Sequence, residues 1–281
     1  MNRPLEAAAD VYCAALARRH YENFTVASRL LQESQRRDLA RIYAYCRTTD
    51  DLGDESGGAA RGRLARWRDD VLELFAGRRP PHPVLVALAE TVARCRLSPQ
   101  PFLDLIQANM QDQEVAHYAT WPELRAYCML SAAPVGRLVL GVFHIGGPAA
   151  ERLSDNVCIG LQLANFAQDV RLDAGKGRTY LLQTDLAAGG VVAATHAHCE
   201  RARALLSSGR DLEAFVPWPL RVQLGLYRLG GLAIIRAIAR LEYRTDLRRP
   251  HVSGAAKALV LARAIGQSLR RSQDARALEA A

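Results

Sequence analysis

The spacing of turn signals constrains this chain more than any other feature. Ser56–Gly58, Gly77–Pro83, Ser98–Pro101, Gly146–Pro148, Gly175–Gly177, Gly189–Gly190, Ser207–Gly209, Pro217–Pro219 and Pro250–Gly254 punctuate the sequence. Glycine frees the backbone and proline removes an amide donor, so both end helices. The stretches between them are long and rich in Ala, Leu and Arg, all good helix formers. This pattern predicts about ten to twelve helices of ordinary globular length. Period-two alternation of β-branched residues is almost absent, so no sheet is expected. No Ser/Gly linker, internal repeat or low-complexity tract marks a boundary, and the expectation is a single all-α domain over residues 1–281. The Arg- and Ala-rich tail after Gly266 is expected to fray.

A chain of 281 residues with 49% hydrophobic and 23% charged residues can build a core and is not disordered throughout. Cys13, Cys46, Cys95, Cys128, Cys158 and Cys199 lie in apolar stretches with no short metal-ligand spacing, and read as buried free thiols of a reducing compartment. Arg18, Arg19 and His20 interrupt the N-terminal apolar run, so no signal peptide is expected. No run of about 18 uncharged apolar residues occurs, which argues against a spanning helix. The best candidate, Val135 to Gly147, is broken by Arg137 and His144. The net charge of +8 favours an anionic partner, whether nucleic acid, an acidic membrane face or a phosphorylated substrate. Basic residues are scattered among acids with only 6% aromatics, so nucleic acid is the minor reading.

Two polar stripes stand out. Tyr43, Arg47, Asp50 and Asp54 are spaced by four, three and four residues, which puts them on one helix face. Asp50 and Asp54 lie one turn apart, roughly 6 Å along the axis, and repel unless a cation sits between them. Gly53 is a poor helix residue, so the helix is expected to end or loosen there. Gln162, Asn165, Asp169 and Asp173 form a second stripe on a helix that is apolar around most of its girth. Gly175-Lys-Gly-Arg-Thr-Tyr180 follows, a glycine-flexed loop with two cations.

Mg²⁺ takes oxygen ligands from a few carboxylates plus substrate phosphates. Two carboxylate helices can therefore hold a small Mg²⁺ cluster, with Arg47, Lys176 and Arg178 on a diphosphate. Bland readings stand beside this one. Asp50, Asp51, Asp54 and Glu55 also fit a solvated helix end, and the second stripe also fits a buried structural network. His196, His198 and Cys199 lack a second ligand group and read as a helix surface. No Walker loop, dinucleotide fingerprint or HExxH motif is present.

Together these segments resemble the squalene/phytoene synthase family of head-to-head prenyl synthases, from about Tyr12 to Ala262. Asp50-Asp-Leu-Gly-Asp54 matches its first aspartate-rich motif, and Asn165-Phe-Ala-Gln-Asp-Val-Arg-Leu-Asp173 its second, followed by Gly177-Arg-Thr-Tyr180. Tyr127-Cys128 and Pro134-Val-Gly136 match a further segment. His20-Tyr-Glu-Asn-Phe-Thr-Val-Ala-Ser28, Ser131-Ala-Ala-Pro-Val-Gly-Arg137 and Arg249-Pro-His-Val-Ser253 look like the hydroxysqualene-forming subgroup of bacterial hopanoid pathways.

The resemblance implies an isoprenoid-synthase helical bundle around a central apolar cavity. It implies conversion of presqualene diphosphate and water to hydroxysqualene and diphosphate, with Mg²⁺ and without NADPH. Asp50, Asp54, Asn165, Asp169 and Asp173 would be metal ligands or their supports. Arg47, Arg178, Tyr180, Arg249 and Lys257 would contact diphosphate. His20, Phe24, Tyr43, Tyr127 and Gln162 would line the cavity, and the last three are the candidates to place water. Glu22 and Gln168 stand where relatives carry basic residues, which favours a substrate with one diphosphate. Two rivals stay open: condensation of two prenyl diphosphates, and a non-catalytic lipid-binding or assembly protein. The resemblance further implies a cytoplasmic protein on the inner face of a bacterial membrane. Its pathway contacts would be a presqualene diphosphate synthase and a hydroxysqualene reductase, with no nucleic acid.

Overall fold

The computed structural model describes residues 3–20, 30–54 and 57–279. These form α1 (Arg3–His20), α2 (Glu33–Asp54), α3 (Ala60–Phe75), α4 (Pro83–Cys95), α5 (Gln100–Gln111), α6 (Trp121–Ser131), α7 (Ala133–Val142), α8 (Pro148–Gln168), α9 (Val170–Gly175), α10 (Gln183–Ser208), α11 (Trp218–Ala239) and α12 (Gly254–Glu279). The fold is all-α. No strand occurs among the described residues, and an isolated parallel bridge joins His117 and Thr179. Contacts group the chain into two compact units: Met1–Glu114 with Met129–Gly147, and Val115–Cys128 with Pro148–Ala281.

In the first unit, α2 buries Leu39, Ile42, Tyr45 and Thr49 along one face. Tyr45 stacks on Trp67 at 5.6 Å between centroids and meets Phe102 edge-on at 4.9 Å. Its hydroxyl donates to the Phe102 carbonyl at 2.9 Å. The Trp67 indole donates to Thr49 Oγ1 at 2.9 Å, and Thr49 donates back to the Tyr45 carbonyl. These bonds satisfy polar atoms that burial would otherwise penalise, so the rotation of α2 about its axis is fixed. Tyr43, Arg47, Asp50 and Asp54 are consequently turned away from that core face.

Gly53 is a notch rather than a break. The helix continues to Asp54, and a Cβ at Gly53 would sit 2.5 Å from Asn109 Oδ1 of α5. Gln113 Nε2 donates to the Gly53 carbonyl at 3.2 Å, which satisfies one of the last open carbonyls. Ala has better helix propensity by about 1 kcal/mol, but displacing Asn109 costs about 1–3 kcal/mol of overpacking. Gly53→Ala is therefore expected to lower the urea midpoint. A gain in midpoint would show that α5 yields freely.

In the second unit, α8 packs against α10 and α11. Leu163, Ala164, Phe166 and Ala167 are buried, as its apolar girth predicts. Inside α10 the Gly189–Gly190 turn signal survives as a kink, with Gly190 at φ 71°, a conformation that disfavours side chains. Arg228 of α11 is buried against Glu213 at 3.0 Å and donates to Gln267 of α12 at 3.1 Å.

Two expectations need correction. His198 and Cys199 are fully buried on α10 and are not a helix surface; only His196 is exposed. Burial, with Arg201 beside it, pushes the His198 imidazole down to about 4, so it is neutral. α12 runs through Gly266 to Glu279. Finally, α11 is long and apolar enough to cross a membrane by length and composition. Counting uncharged residues missed it because Arg221, Arg228 and Arg236 interrupt it. Twelve of its residues are buried, as in the core helix of a globular unit. All six cysteines are free; Cys13, Cys95, Cys128 and Cys199 are buried, whereas Cys46 and Cys158 are only half-buried.

Candidate active site

The first aspartate motif closes α2. Asp50 accepts a hydrogen bond from Asn109 Nδ2 at 3.2 Å, and Asn109 also donates to the Leu105 carbonyl of its own helix. Asp50 keeps exposed surface, yet the protein atoms around it push its carboxyl up to about 6. Asn109 and Arg47 oppose that rise, and Asp54 and Asp51 add to it. Arg47 Nη2 lies 2.5 Å from Asp51 Oδ1, one turn on. Half-buried Tyr43 has its phenol raised by burial, opposed by Arg47. Asp54 is exposed at the helix end. His20 closes α1, and Phe24 and Glu22 lie outside the described residues.

The second motif is not one continuous helix. α8 ends at Gln168, Asp169 adopts φ −104° and ψ 17°, and α9 begins at Val170. The ladder still passes through: Asp169 N–H donates to the Asn165 carbonyl and Asp173 N–H to the Asp169 carbonyl, both at 2.9 Å. Asn165 is exposed, and Gln162, Asp169 and Asp173 are half-buried. The Asp173 carbonyl accepts from the amides of Lys176 at 3.0 Å and Arg178 at 2.9 Å, with Gly177 at φ 73° between them. The basic loop is thus folded back onto the motif that precedes it.

Asp169 is held by Arg249 through two bonds, Nε to Oδ1 at 2.5 Å and Nη2 to Oδ2 at 3.2 Å. An expected metal ligand and an expected diphosphate contact therefore meet each other directly. Lys257 is exposed in the first turn of α12. Tyr127 and Tyr180 are buried in a ring cluster with Tyr118 and Phe166. Phe166 and Tyr180 stack at 3.9 Å with a 7° interplanar angle, and Tyr127 lies 5.7 Å from Tyr180.

Sequence reasoning missed Asp51, Asn109, Gln113, Tyr118 and Phe166. The Arg47–Asp51 pair had a signal, since four residues separate them on a helix. The Asn109 and Gln113 contacts had none, because they depend on how α5 packs on α2.

No group of three or more His, Cys, Asp or Glu side chains gathers closely enough among the described residues to cage a metal. The motifs offer oxygen donors in small sets: Asp50 and Asp54 in one, Asn165, Asp169 and Asp173 in the other. That donor chemistry fits a hard cation that keeps waters and takes substrate phosphate oxygens, as Mg²⁺ does.

Comparison with known proteins gives a consistent placement. Residues 17–256 match the squalene/phytoene synthase family, and the chain belongs to it. It is 31% identical to phytoene synthase 3, chloroplastic, of Zea mays over 92% of this chain, but spans only 65% of that protein's length. It is 41% identical to squalene synthase HpnC from Alicyclobacillus acidocaldarius, whose crystal structure superposes with a TM-score of 0.80 over 85% of this chain and 95% of that one. A dehydrosqualene synthase solved with a ligand shares the fold, with a TM-score of 0.84 over 95% of this chain and 98% of that chain at 21% identity.

Proposed function

We propose that this chain converts presqualene diphosphate and water to hydroxysqualene and diphosphate, with Mg²⁺ and without NADPH. The observation that carries the reading is the second motif's arrangement. Arg249 is presented beside its carboxylates, while Gln168 at the neighbouring position adds no charge and donates to the Pro250 carbonyl. One cationic fork suits one departing diphosphate better than two. The 41% identity to the HpnC squalene synthase supports the same assignment.

In this scheme Arg249, Arg178 and Arg47 hold diphosphate oxygens, with Tyr180 and Lys257 beside them. Arg249 and Arg47 exchange Asp169 and Asp51 for the substrate. Asp50, Asp54, Asn165, Asp169 and Asp173 would hold Mg²⁺, which when bound supplies charge neutralisation for the leaving group. The C–O bond breaks and its electron pair leaves with the diphosphate. The cyclopropylcarbinyl cation rearranges in an apolar pocket, to whose lining His20 and Phe24 are assigned by the family resemblance. Water then bonds to carbon and gives up one proton to the departed diphosphate. No electrons are gained or lost, so no reductant is needed. Tyr43, Tyr127 and Gln162 are assigned to orient the water. Peripheral contact with an anionic membrane face, supported by the net charge of +8, belongs to the same proposal.

The likeness to phytoene synthase 3 favours a second reading, condensation of two prenyl diphosphates. Gas chromatography–mass spectrometry separates them. With Mg²⁺ and no reductant, presqualene diphosphate is expected to yield hydroxysqualene and farnesyl diphosphate to stay intact. Consumption of farnesyl diphosphate would establish a condensing enzyme instead.

Asp50 sets a pH dependence. Its folded pKa of about 6 exceeds the ordinary 3.8, so protonation favours the fold. That contribution is present below the unfolded value and is lost as pH rises through about 6. Above it, Asp50 is an anion beside two others and is ready for a cation. Millimolar MgCl₂ is therefore expected to raise the melting temperature at about pH 7.5 and not at about pH 5. An equal shift at both values would remove Asp50 from the cation's ligands.

A further inference from the structure

Three side-chain contacts join the second motif to the segment Leu247–Pro250, and their positions run in opposite directions along the two stretches. Arg171 Nη1 donates to the Leu247 carbonyl at 3.0 Å. Asp169 takes both nitrogens of the Arg249 fork. Gln168 Nε2 donates to the Pro250 carbonyl at 2.9 Å. Each step forward along the motif is matched by an equal step back along the segment. The two outer bonds grip backbone carbonyls on either side of Arg249, and the middle one grips Arg249 itself.

The chemistry of the anchors explains the choice of residues. A carbonyl needs a donor, and Gln and Arg both provide one. Pro250 is buried and lacks an amide hydrogen, so its neighbourhood cannot be fixed by a ladder bond from its own nitrogen. Arg249 is 46% exposed and carries many rotamers, so its placement depends on a fixed backbone.

We propose that Gln168 is a positioning residue: by holding the Pro250 carbonyl, with Arg171 holding that of Leu247, it keeps Arg249 in the register from which it meets a diphosphate. Its consequence for diphosphate rests on the function proposed above; the anchoring itself does not. Gln168 thus has a role beyond the absence of a charge.

Two readouts test this. The first is hydrogen–deuterium exchange of ligand-free protein. Gln168→Leu and the near-isosteric Gln168→Glu both lack a donor for the carbonyl. Both are expected to speed amide exchange over about residues 247–252, with exchange in α10 and α11 unchanged. Gln168→Arg keeps a donor and should retain slow exchange. Wild-type exchange in both donorless variants would overturn the anchor.

The second readout is calorimetric binding of inorganic pyrophosphate with Mg²⁺ in a double-mutant cycle. Gln168→Leu and Arg249→Gln are each expected to weaken binding about tenfold, the scale of a charge-assisted bond. The double variant should be no weaker than Arg249→Gln, because one residue acts through the other. A loss near a hundredfold in the double variant, or none in Gln168→Leu, would overturn the positioning role. Wild-type protein that takes up no pyrophosphate would defeat the proposed function and the diphosphate half of this inference, while the exchange data still decide the anchor.

Discussion

Asp50→Ala is expected to abolish turnover, by about a thousandfold or more in kcat, and to leave circular dichroism and melting temperature intact or slightly raised. The two halves of this result have one origin. The protein around Asp50 disfavours its charge, with Asp51 and Asp54 adding repulsion, so the ligand-free fold gains when that charge is removed. The same anion is the one proposed to attract a cation to the motif. Loss of a single preorganised electrostatic group at a reacting centre costs about 10²–10³ in rate, and losing a cation's ligand removes more than one such contact. Asp169→Ala is expected to lose comparable activity, while leaving the Arg249 guanidinium without its carboxylate. Wild-type turnover in either variant would sink the two-motif scheme.

Arg41→Ala is expected to cost about 3–5 kcal/mol of stability, the scale for stripping one partner from a buried ion pair. The Arg41 side chain is 3% exposed. Its Nε and Nη2 bind the two oxygens of Asp10 at 2.7 and 2.9 Å, Nη2 reaches Glu90 at 2.6 Å, and Nη1 donates to Thr91 at 3.1 Å. Thr91 donates to Asp38, which Arg94 also grips. One guanidinium therefore ties α1, α2 and α4 together. Its removal leaves Asp10, only 24% exposed, without its partner and takes one of two cations from buried Asp38, while Glu90 at 56% turns to water. Arg41→Met with Asp10→Leu should recover much of the loss, because a buried pair is worth little net against apolar groups of similar shape. Urea unfolding at neutral pH reads both variants. A loss under about 1 kcal/mol for Arg41→Ala would mean that Asp10 finds water.

What the sequence made legible was local. The α2 stripe follows from spacing alone, because four residues on one helix need no knowledge of the partner. The helix count follows from glycine and proline. The fully buried His198 was not legible, since α10 is wrapped by neighbours that no periodicity within it reveals. The break at Asp169 was hidden because the residues on either side are sound helix formers and the hydrogen-bond ladder continues. The Arg249–Asp169 pair spans 80 residues of sequence. Nothing in the motif says that its carboxylate is already engaged, whereas the four-residue spacing of Arg47 and Asp51 does signal their pairing.

The two aspartate motifs are mounted differently. Asp50 stands on a helix whose rotation is locked by Tyr45, Trp67 and Thr49 and whose end is notched against Asn109. Shifting it means repacking a core. Asp169 and Arg249 hang on a short helix break and a few side-chain bonds near the surface. Substitutions there reach the proposed leaving-group contacts without repacking a core. For an evolving lineage, the first motif is an anvil and the second is the adjustable face. A change in which diphosphate is accepted is expected to arise around residues 168–171 and 247–250 before it arises on α2.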